Sequence, residues 1–155
     1  MLAVALAAGC AAPAPSAWAP LDEPYFRCRV QPGLTRSCSA FACHGDARRP
    51  FTVFARNRLR WGGDERDRNA RLRDDERAFN YESALGMVDV DAPEESLILR
   101  KPLDAAAGGG FHGGATLFGA GDVYATEEDL EYQVLREWVM GAVADPTCVE
   151  PGSDL

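Results

Sequence analysis

The chain has 155 residues, of which 46 % are hydrophobic, so its length suits a single domain with a thin core. Its 15 glycines and 10 prolines predict long loops between the regular elements. The net charge of −8 makes it a poor candidate for nucleic-acid binding, because phosphate backbones attract basic surfaces.

The chain starts with a short apolar stretch, residues 1–9, which ends in Leu-Ala-Ala-Gly directly before Cys10. This pattern resembles a bacterial lipobox, in which Cys10 would carry the lipid. The usual basic residues are missing, so either the true start lies upstream or the Ala-rich stretch is accidental. The run is too short to span a bilayer, which needs about 20 apolar residues. We therefore expect a signal over 1–9, a flexible tether over 10–23 and a folded domain over 24–150, in an exported periplasmic or outer-membrane bacterial lipoprotein.

Four segments of the folded part have helical or strand character. The apolar pattern predicts a helix over 21–37, which Pro32 should kink or break. Phe-Thr-Val-Phe-Ala at 51–55 is typical of a short strand. A helix is predicted over 74–86, where acidic residues open the first turn and a glycine ends the segment. Residues 96–103 form a short apolar helix or turn.

The clearest helix is predicted over 127–143, with Thr126 as its cap and Asp129 at the capping-box position. An apolar stripe on one face indicates packing against the core; its members are Leu130, Val134, Leu135 and Trp138. Together these elements predict a mostly α fold.

Chemistry is concentrated in one segment, where Cys38 and Cys43 flank four residues and His44 follows at once. Covalent haem attachment uses two thiols, which add to the two vinyl groups, and a histidine after the second thiol, which binds iron. The usual spacing is C-x-x-C-H, and the C-x4-C-H spacing found here is less diagnostic. A local disulfide between the two cysteines is one alternative. A zinc knuckle is another, although zinc would want four ligands.

The chain has one other histidine, His112, which lies between glycines on both sides. Glycines let a loop approach a flat cofactor closely, so His112 suits a sixth iron ligand. Met87 is the main rival, because a Met/His pair also occurs in cytochromes. A flexible loop in which His112 only forms a hydrogen bond is the alternative.

Two further cysteines, Cys28 and Cys148, lie at opposite ends of the folded part. In an exported chain we expect them to form a disulfide that joins the first and last elements.

The charges are unevenly distributed along the chain. Residues up to Arg77 include 13 basic and 9 acidic side chains, whereas the remainder has 3 basic and 15 acidic ones. The Arg-rich stretch 48–77 is interleaved with acids, which is typical of a solvated surface. Alternatively, one of its arginines meets a haem propionate.

Three ordered groups of residues resemble the cytochrome c-like domains of bacterial lipoproteins of the planctomycete and myxobacterial kind. The first runs from Cys28-x-Val30-Gln31-Pro32 to Cys43-His44-Gly45, the second is Ser96–Leu103 followed by His112-Gly113-Gly114, and the third is Tyr132-x-x-Leu135-x-x-Trp138-Val139-x-x-Ala142. The resemblance covers about residues 24–143. It implies a mostly helical cytochrome c-like fold around one haem, with the terminal helices packed together. It also implies His44 as proximal ligand and makes His112 the natural distal one.

The sequence thus predicts a single-haem c-type cytochrome that transfers electrons and is not an enzyme, with covalent haem c held by Cys38, Cys43, His44 and His112. We expect redox partner proteins, which the acidic half could steer, and a membrane contact through the lipid anchor. A non-redox envelope lipoprotein held by disulfides is the alternative. A haem enzyme such as a peroxidase would instead need a vacant iron position.

Overall fold

The computed structural model describes residues 21–62, 68–113 and 122–151. The predicted signal, Cys10 and most of the tether lie outside these ranges. Within these ranges, five α-helices follow one another: α1 (Glu23–Tyr25), α2 (Gln31–Ser37), α3 (Asp74–Leu85), α4 (Leu97–Arg100) and α5 (Leu130–Val139). A π-helical turn (Phe26–Val30) joins α1 to α2, and 3-10 turns occupy Pro93–Glu95 and Ala105–Ala107. The described ranges contain no strand, only an isolated bridge between Leu103 and Tyr124, so the protein is mostly α as predicted.

The N-terminal segment is helical throughout Glu23–Ser37, so Pro32 changes the type of helix rather than ending it. Pro32 lies in the first turn of α2, where a missing N–H is tolerated. In the preceding π-helical turn, the amide of Gln31 donates to the carbonyl of Phe26, five residues back. Leu21 already packs against the core, so the structured part includes residues that the sequence assigned to the tether.

The strand predicted over 51–55 is wrong. The amide of Phe54 donates to Oδ1 of Asn80 at 2.7 Å, and Nδ2 of Asn80 returns a bond to the carbonyl of Phe54 at 2.9 Å. The amide of Thr52 donates to the hydroxyl of Ser83. Side chains of α3 therefore bond backbone groups that a neighbouring strand would otherwise bond.

The last helix is shorter than predicted, because α5 covers Leu130–Val139 and its N-cap is Asp129. The side chain of Asp129 accepts from the amide of Glu131 at 3.0 Å, so the assignment of the cap to Thr126 is wrong. Leu130 is 78 % exposed and does not belong to the buried stripe. The buried face consists of Tyr132, Leu135, Trp138 and Val139.

The two ends of the folded chain pack together around aromatic rings. Phe26 lies 5.1 Å from Trp138 and 5.6 Å from Tyr81 between ring centroids, and all three rings are buried. The indole of Trp138 donates to the carbonyl of Asp22 at 3.1 Å. The π-helical turn, α3 and α5 therefore meet in one core, and the terminal helices are in contact as the resemblance implied.

The Arg-rich stretch is not entirely a solvated surface. The side chains of Arg60 and Glu76 are 4 % and 0 % exposed and form an ion pair at 2.8 Å. Glu76 also accepts from the amides of Trp61 and Arg73, while Arg60 donates to three backbone carbonyls. This network connects α3 to the loop before it.

Cys28 and Cys148 lie at disulfide-bonding distance, with Cα atoms 5.7 Å apart and 120 residues between them in the chain. The pairing expected from the sequence is thus present, and it fastens the segment after α5 to the N-terminal helical segment.

Candidate functional site

Four of the residues singled out in the sequence line one cleft of about 480 Å³. Its walls include Cys38, His44, Met87 and His112, which come from three separate parts of the chain. Most of the other lining side chains are apolar: Leu34, Pro50, Phe51, Leu97, Ile98, Pro102, Phe111 and Leu135. The cleft therefore combines a few metal-binding side chains with an apolar surface.

His44 is held in the loop after α2 by bonds on both sides of its backbone. Its amide donates to the carbonyl of Cys38 at 3.0 Å, and its carbonyl accepts from the amide of Val53 at 2.7 Å. Nδ1 of the ring lies 3.0 Å from the carbonyl oxygen of Phe51. Because a carbonyl only accepts, Nδ1 carries the hydrogen, which leaves Nε2 with a free lone pair.

The electrostatic surroundings keep this imidazole neutral. Burial lowers the pKa of His44 below its ordinary value of 6.5, and the nearby His112 and Arg49 lower it further, although the bond to Phe51 acts in the opposite direction. A neutral imidazole is the form that binds a metal.

Gly45, next to His44, allows the loop to fold back on itself. A Cβ at this position would lie 2.2 Å from the carbonyl oxygen of Ser39, a distance that no side chain tolerates. The amide of Gly45 donates to the carbonyl of Ala40 at 2.9 Å. The glycine after the histidine is therefore required by the same turn that aims the imidazole.

His112 lies at the end of a loop anchored to α4. The amides of Gly109 and Gly110 donate to the carbonyls of Asp104 and Arg100, at 3.0 and 2.7 Å. A Cβ on Gly109 would lie 1.7 Å from the carbonyl oxygen of Leu103, so this close approach needs glycine. Gly109 thus packs against backbone, whereas the predicted approach of the glycines beside His112 to a flat cofactor stays a prediction; Gly114 lies outside the described ranges.

The ring of His112 has its own acceptor. Nδ1 lies 2.8 Å from Oδ1 of Asp122, whose side chain is 4 % exposed. A carboxylate oxygen accepts, so Nδ1 carries the hydrogen here as well and Nε2 has the free lone pair. Sequence reasoning missed Asp122 and the Phe51 carbonyl, because neither has a recognisable spacing from its histidine.

The two imidazoles face each other with nearly parallel planes. Their centroids are 5.8 Å apart and their planes differ by 10°. Since a metal–imidazole bond is about 2 Å long, two rings bound on opposite sides of one metal have centroids about 6 Å apart. The observed separation fits such an arrangement.

Protein side chains alone do not complete a metal site here. Among the residues that the structure describes, no three His, Cys, Asp or Glu side chains lie close enough to hold one ion. A zinc knuckle at the cysteine pair is therefore not formed by these residues. A metal between His44 and His112 would therefore need further ligands from outside these side chains.

The cysteines of the motif differ in position. Cys38 is buried in the cleft wall, and burial raises the pKa of its thiol to about 12. Cys43 is half-buried and does not line the cleft. Both are free thiols, so the local disulfide considered as an alternative is not present.

Two of the described residues that line the cleft are cationic, Arg49 and Lys101. Arg49 is exposed and belongs to the Arg-rich stretch, for which a propionate partner was the alternative to a solvated surface. The ammonium of Lys101 donates to the carbonyl of Phe111 at 3.0 Å, next to His112. An acidic group at the cleft would meet these two charges.

Met87, the rival ligand, also lines the cleft and is partly buried against the core. The ring that faces His44, however, belongs to His112.

None of the described helices is both long and apolar enough to cross a bilayer. No protein-family model, no curated protein and no solved structure matches this chain. The family resemblance therefore stays an expectation drawn from the sequence motifs.

Proposed function

We propose that this protein is a single-haem c-type cytochrome that carries electrons by outer-sphere transfer. One observation carries the proposal: two imidazoles, each with Nδ1 bonded to oxygen, face each other 5.8 Å apart across an apolar cleft. In each ring the free Nε2 atom is the one that would bind an iron.

His44 and His112 are the proposed axial ligands, with His44 proximal because it follows Cys43. Cys38 and Cys43 are the proposed attachment points. Each thiol adds across a vinyl double bond, so that sulfur bonds to one carbon and hydrogen to the other, and no oxidant is consumed. Cys38 already lines the cleft, whereas attachment through Cys43 needs that half-buried side chain to turn inward.

The cleft walls suit a flat apolar cofactor with acidic edges. Leu97 and Phe111 line the cleft yet are 52 % and 80 % exposed, so a bound apolar face would cover surface that water now contacts. Arg49 and Lys101 would hold the two propionates, because guanidinium and ammonium groups pair with carboxylates.

When bound, haem supplies a one-electron iron couple whose potential depends on its ligands and burial. Two histidine ligands leave no open iron position for a substrate, which favours an electron carrier over a peroxidase-like enzyme. The protein itself would position the two imidazoles and exclude water from the apolar faces of the haem.

Export to the bacterial envelope is part of the same proposal, with Cys10 as the lipidated residue. Covalent haem attachment and the Cys28–Cys148 pair both suit an oxidising compartment. The acidic second half of the chain would steer a redox partner with a basic face, at a rate that falls with salt.

The proposal is tested by producing the protein in an export-competent host that matures c-type cytochromes. We expect Soret and α bands that survive acid–acetone extraction and a mass increased by one haem. The His112→Ala variant should shift the iron to a high-spin form, whereas Met87→Leu should leave the spectrum unchanged. A protein without covalent haem would contradict the proposal and favour the non-redox, disulfide-held lipoprotein.

A further inference from the structure

The two imidazoles of the cleft are supported by unlike acceptors. Nδ1 of His44 bonds a neutral backbone carbonyl, that of Phe51, at 3.0 Å. Nδ1 of His112 bonds a carboxylate, that of Asp122, at 2.8 Å. The pair is therefore asymmetric in charge although it is nearly symmetric in geometry.

Asp122 is held firmly in this position. Its Oδ1 also accepts from the amide of Val123 at 2.8 Å, and its own amide lies 3.3 Å from Oδ2 of Asp104. The side chain is 4 % exposed, so water and salt screen its charge only weakly. A buried carboxylate bonded to Nδ1 of an imidazole in this way fixes the ring orientation and makes its other nitrogen a stronger metal ligand.

We infer that Asp122 is a positioning residue that strengthens the bond of His112 to the iron and lowers the reduction potential of the haem. The inference rests on the proposed function and deepens it. Ferric iron has one more positive charge than ferrous iron, so a nearby carboxylate favours the ferric state. A stronger bond from His112 to the iron acts in the same direction.

The test compares Asp122→Asn with the wild-type holoprotein. Asparagine keeps the shape and an accepting oxygen but removes the charge. We expect a more positive midpoint potential. We also expect tighter cyanide binding to the ferric protein, by about 10- to 100-fold, because cyanide then displaces a weaker His112 bond.

Asp46→Asn is the matched control. Asp46 lies two residues after the other ligand, His44, and its carboxylate pairs with Arg48 instead of an imidazole. Asp46→Asn removes the same charge as Asp122→Asn, so it measures the general electrostatic effect of losing one carboxylate. We expect a smaller shift in potential and an unchanged affinity for cyanide.

Asp122→Glu keeps the carboxylate and should restore part of the wild-type potential. If Asp122→Asn does not fold, Asp122→Glu replaces it in the test. Its carboxylate is displaced from Nδ1 of His112, so the cyanide affinity should change in Asp122→Glu and stay unchanged in Asp46→Asn. An unchanged cyanide affinity in Asp122→Glu, with a changed affinity in Asp46→Asn, would overturn the inference.

A haem-loaded Asp122→Asn protein with wild-type potential and cyanide affinity would overturn the role of Asp122 and leave the cytochrome proposal intact. A shift of the midpoint potential in Asp46→Asn equal to that in Asp122→Asn would also overturn the role of Asp122. Wild-type protein without covalent haem would overturn both.

Discussion

Gly45 is the residue on which the position of His44 most depends. Because an added Cβ would lie 2.2 Å from the Ser39 carbonyl, we expect Gly45→Ala to displace the loop and lower both covalent haem incorporation and stability. Gly113→Ala is the matched control, because Gly113 follows His112 as Gly45 follows His44. A Cβ on Gly113 would meet no atom within 4 Å. Haem content per protein in the two variants measures the difference, and equal content would contradict this role of Gly45.

The buried pair of Arg60 and Glu76 supports the structure outside the cleft. We expect Glu76→Gln to lower the free energy of unfolding by about 1–3 kcal/mol, because it removes the carboxylate charge of this buried ion pair. The control is Glu94→Gln, which removes the partner of Arg136 from a half-exposed ion pair and should cost less than about 1 kcal/mol. Denaturant unfolding measures both.

The same carboxyl gives a defined pH dependence. Burial raises the pKa of Glu76, but bonds from Arg60 and from the amides of Arg73 and Trp61 outweigh it, so the pKa lies below its ordinary value of 4.5. A lowered pKa stabilises the folded state above pH 4.5, and this stabilisation is lost as pH falls through the folded-state pKa. The difference between wild type and Glu76→Gln should therefore shrink in acid. A difference that stays constant would contradict this sign.

The sequence could single out the two histidines that line the cleft, whereas it could not predict the groups that support them. His44 is marked by the cysteine before it, and the glycines around His112 indicate a close approach. A backbone carbonyl such as that of Phe51 has no sequence signature. Asp122 lies ten residues beyond His112 among many acidic residues, so no local pattern selects it. Tertiary contacts, and not a local sequence pattern, determine which group bonds Nδ1 of each imidazole.

At the scale of elements, the start of α5 depends on Asp129. We expect Asp129→Ala to lower the free energy of unfolding by about 1 kcal/mol, because the amide of Glu131 loses its acceptor. Thr126→Ala alters the cap expected from the sequence. It removes only a 3.3 Å contact between the Thr126 hydroxyl and the amide of Glu128, which precedes the helix, so the loss of stability should be smaller. Thermal unfolding distinguishes the two, and a larger effect of Thr126→Ala would contradict the assigned cap.

Helix α3 could be predicted almost to its ends, because acids open its first turn and Gly86 follows its last residue. The strand over 51–55 was wrong for a physical reason. Local composition favoured a strand, but the amides of Thr52 and Phe54 bond side chains of α3, those of Ser83 and Asn80. The composition of a short segment does not indicate which group each of its amides will bond.

At the scale of the whole molecule, the Cys28–Cys148 pair closes nearly the entire folded chain. With 120 residues between the cysteines, the chain-entropy estimate predicts a stabilisation of about 4–5 kcal/mol. We expect the double variant Cys28→Ala, Cys148→Ala to unfold at correspondingly lower denaturant concentration while it keeps its haem spectrum. Loss of haem with unchanged stability would contradict a purely structural role.

The central claim is that one haem lies between His44 and His112, and electron paramagnetic resonance of the ferric wild-type protein tests it most directly. With imidazole planes only 10° apart, we expect a rhombic low-spin spectrum with three resolved g values. Planes near perpendicular would instead give one dominant low-field feature. A high-spin signal, a perpendicular-type signal or the absence of any haem signal would contradict the arrangement.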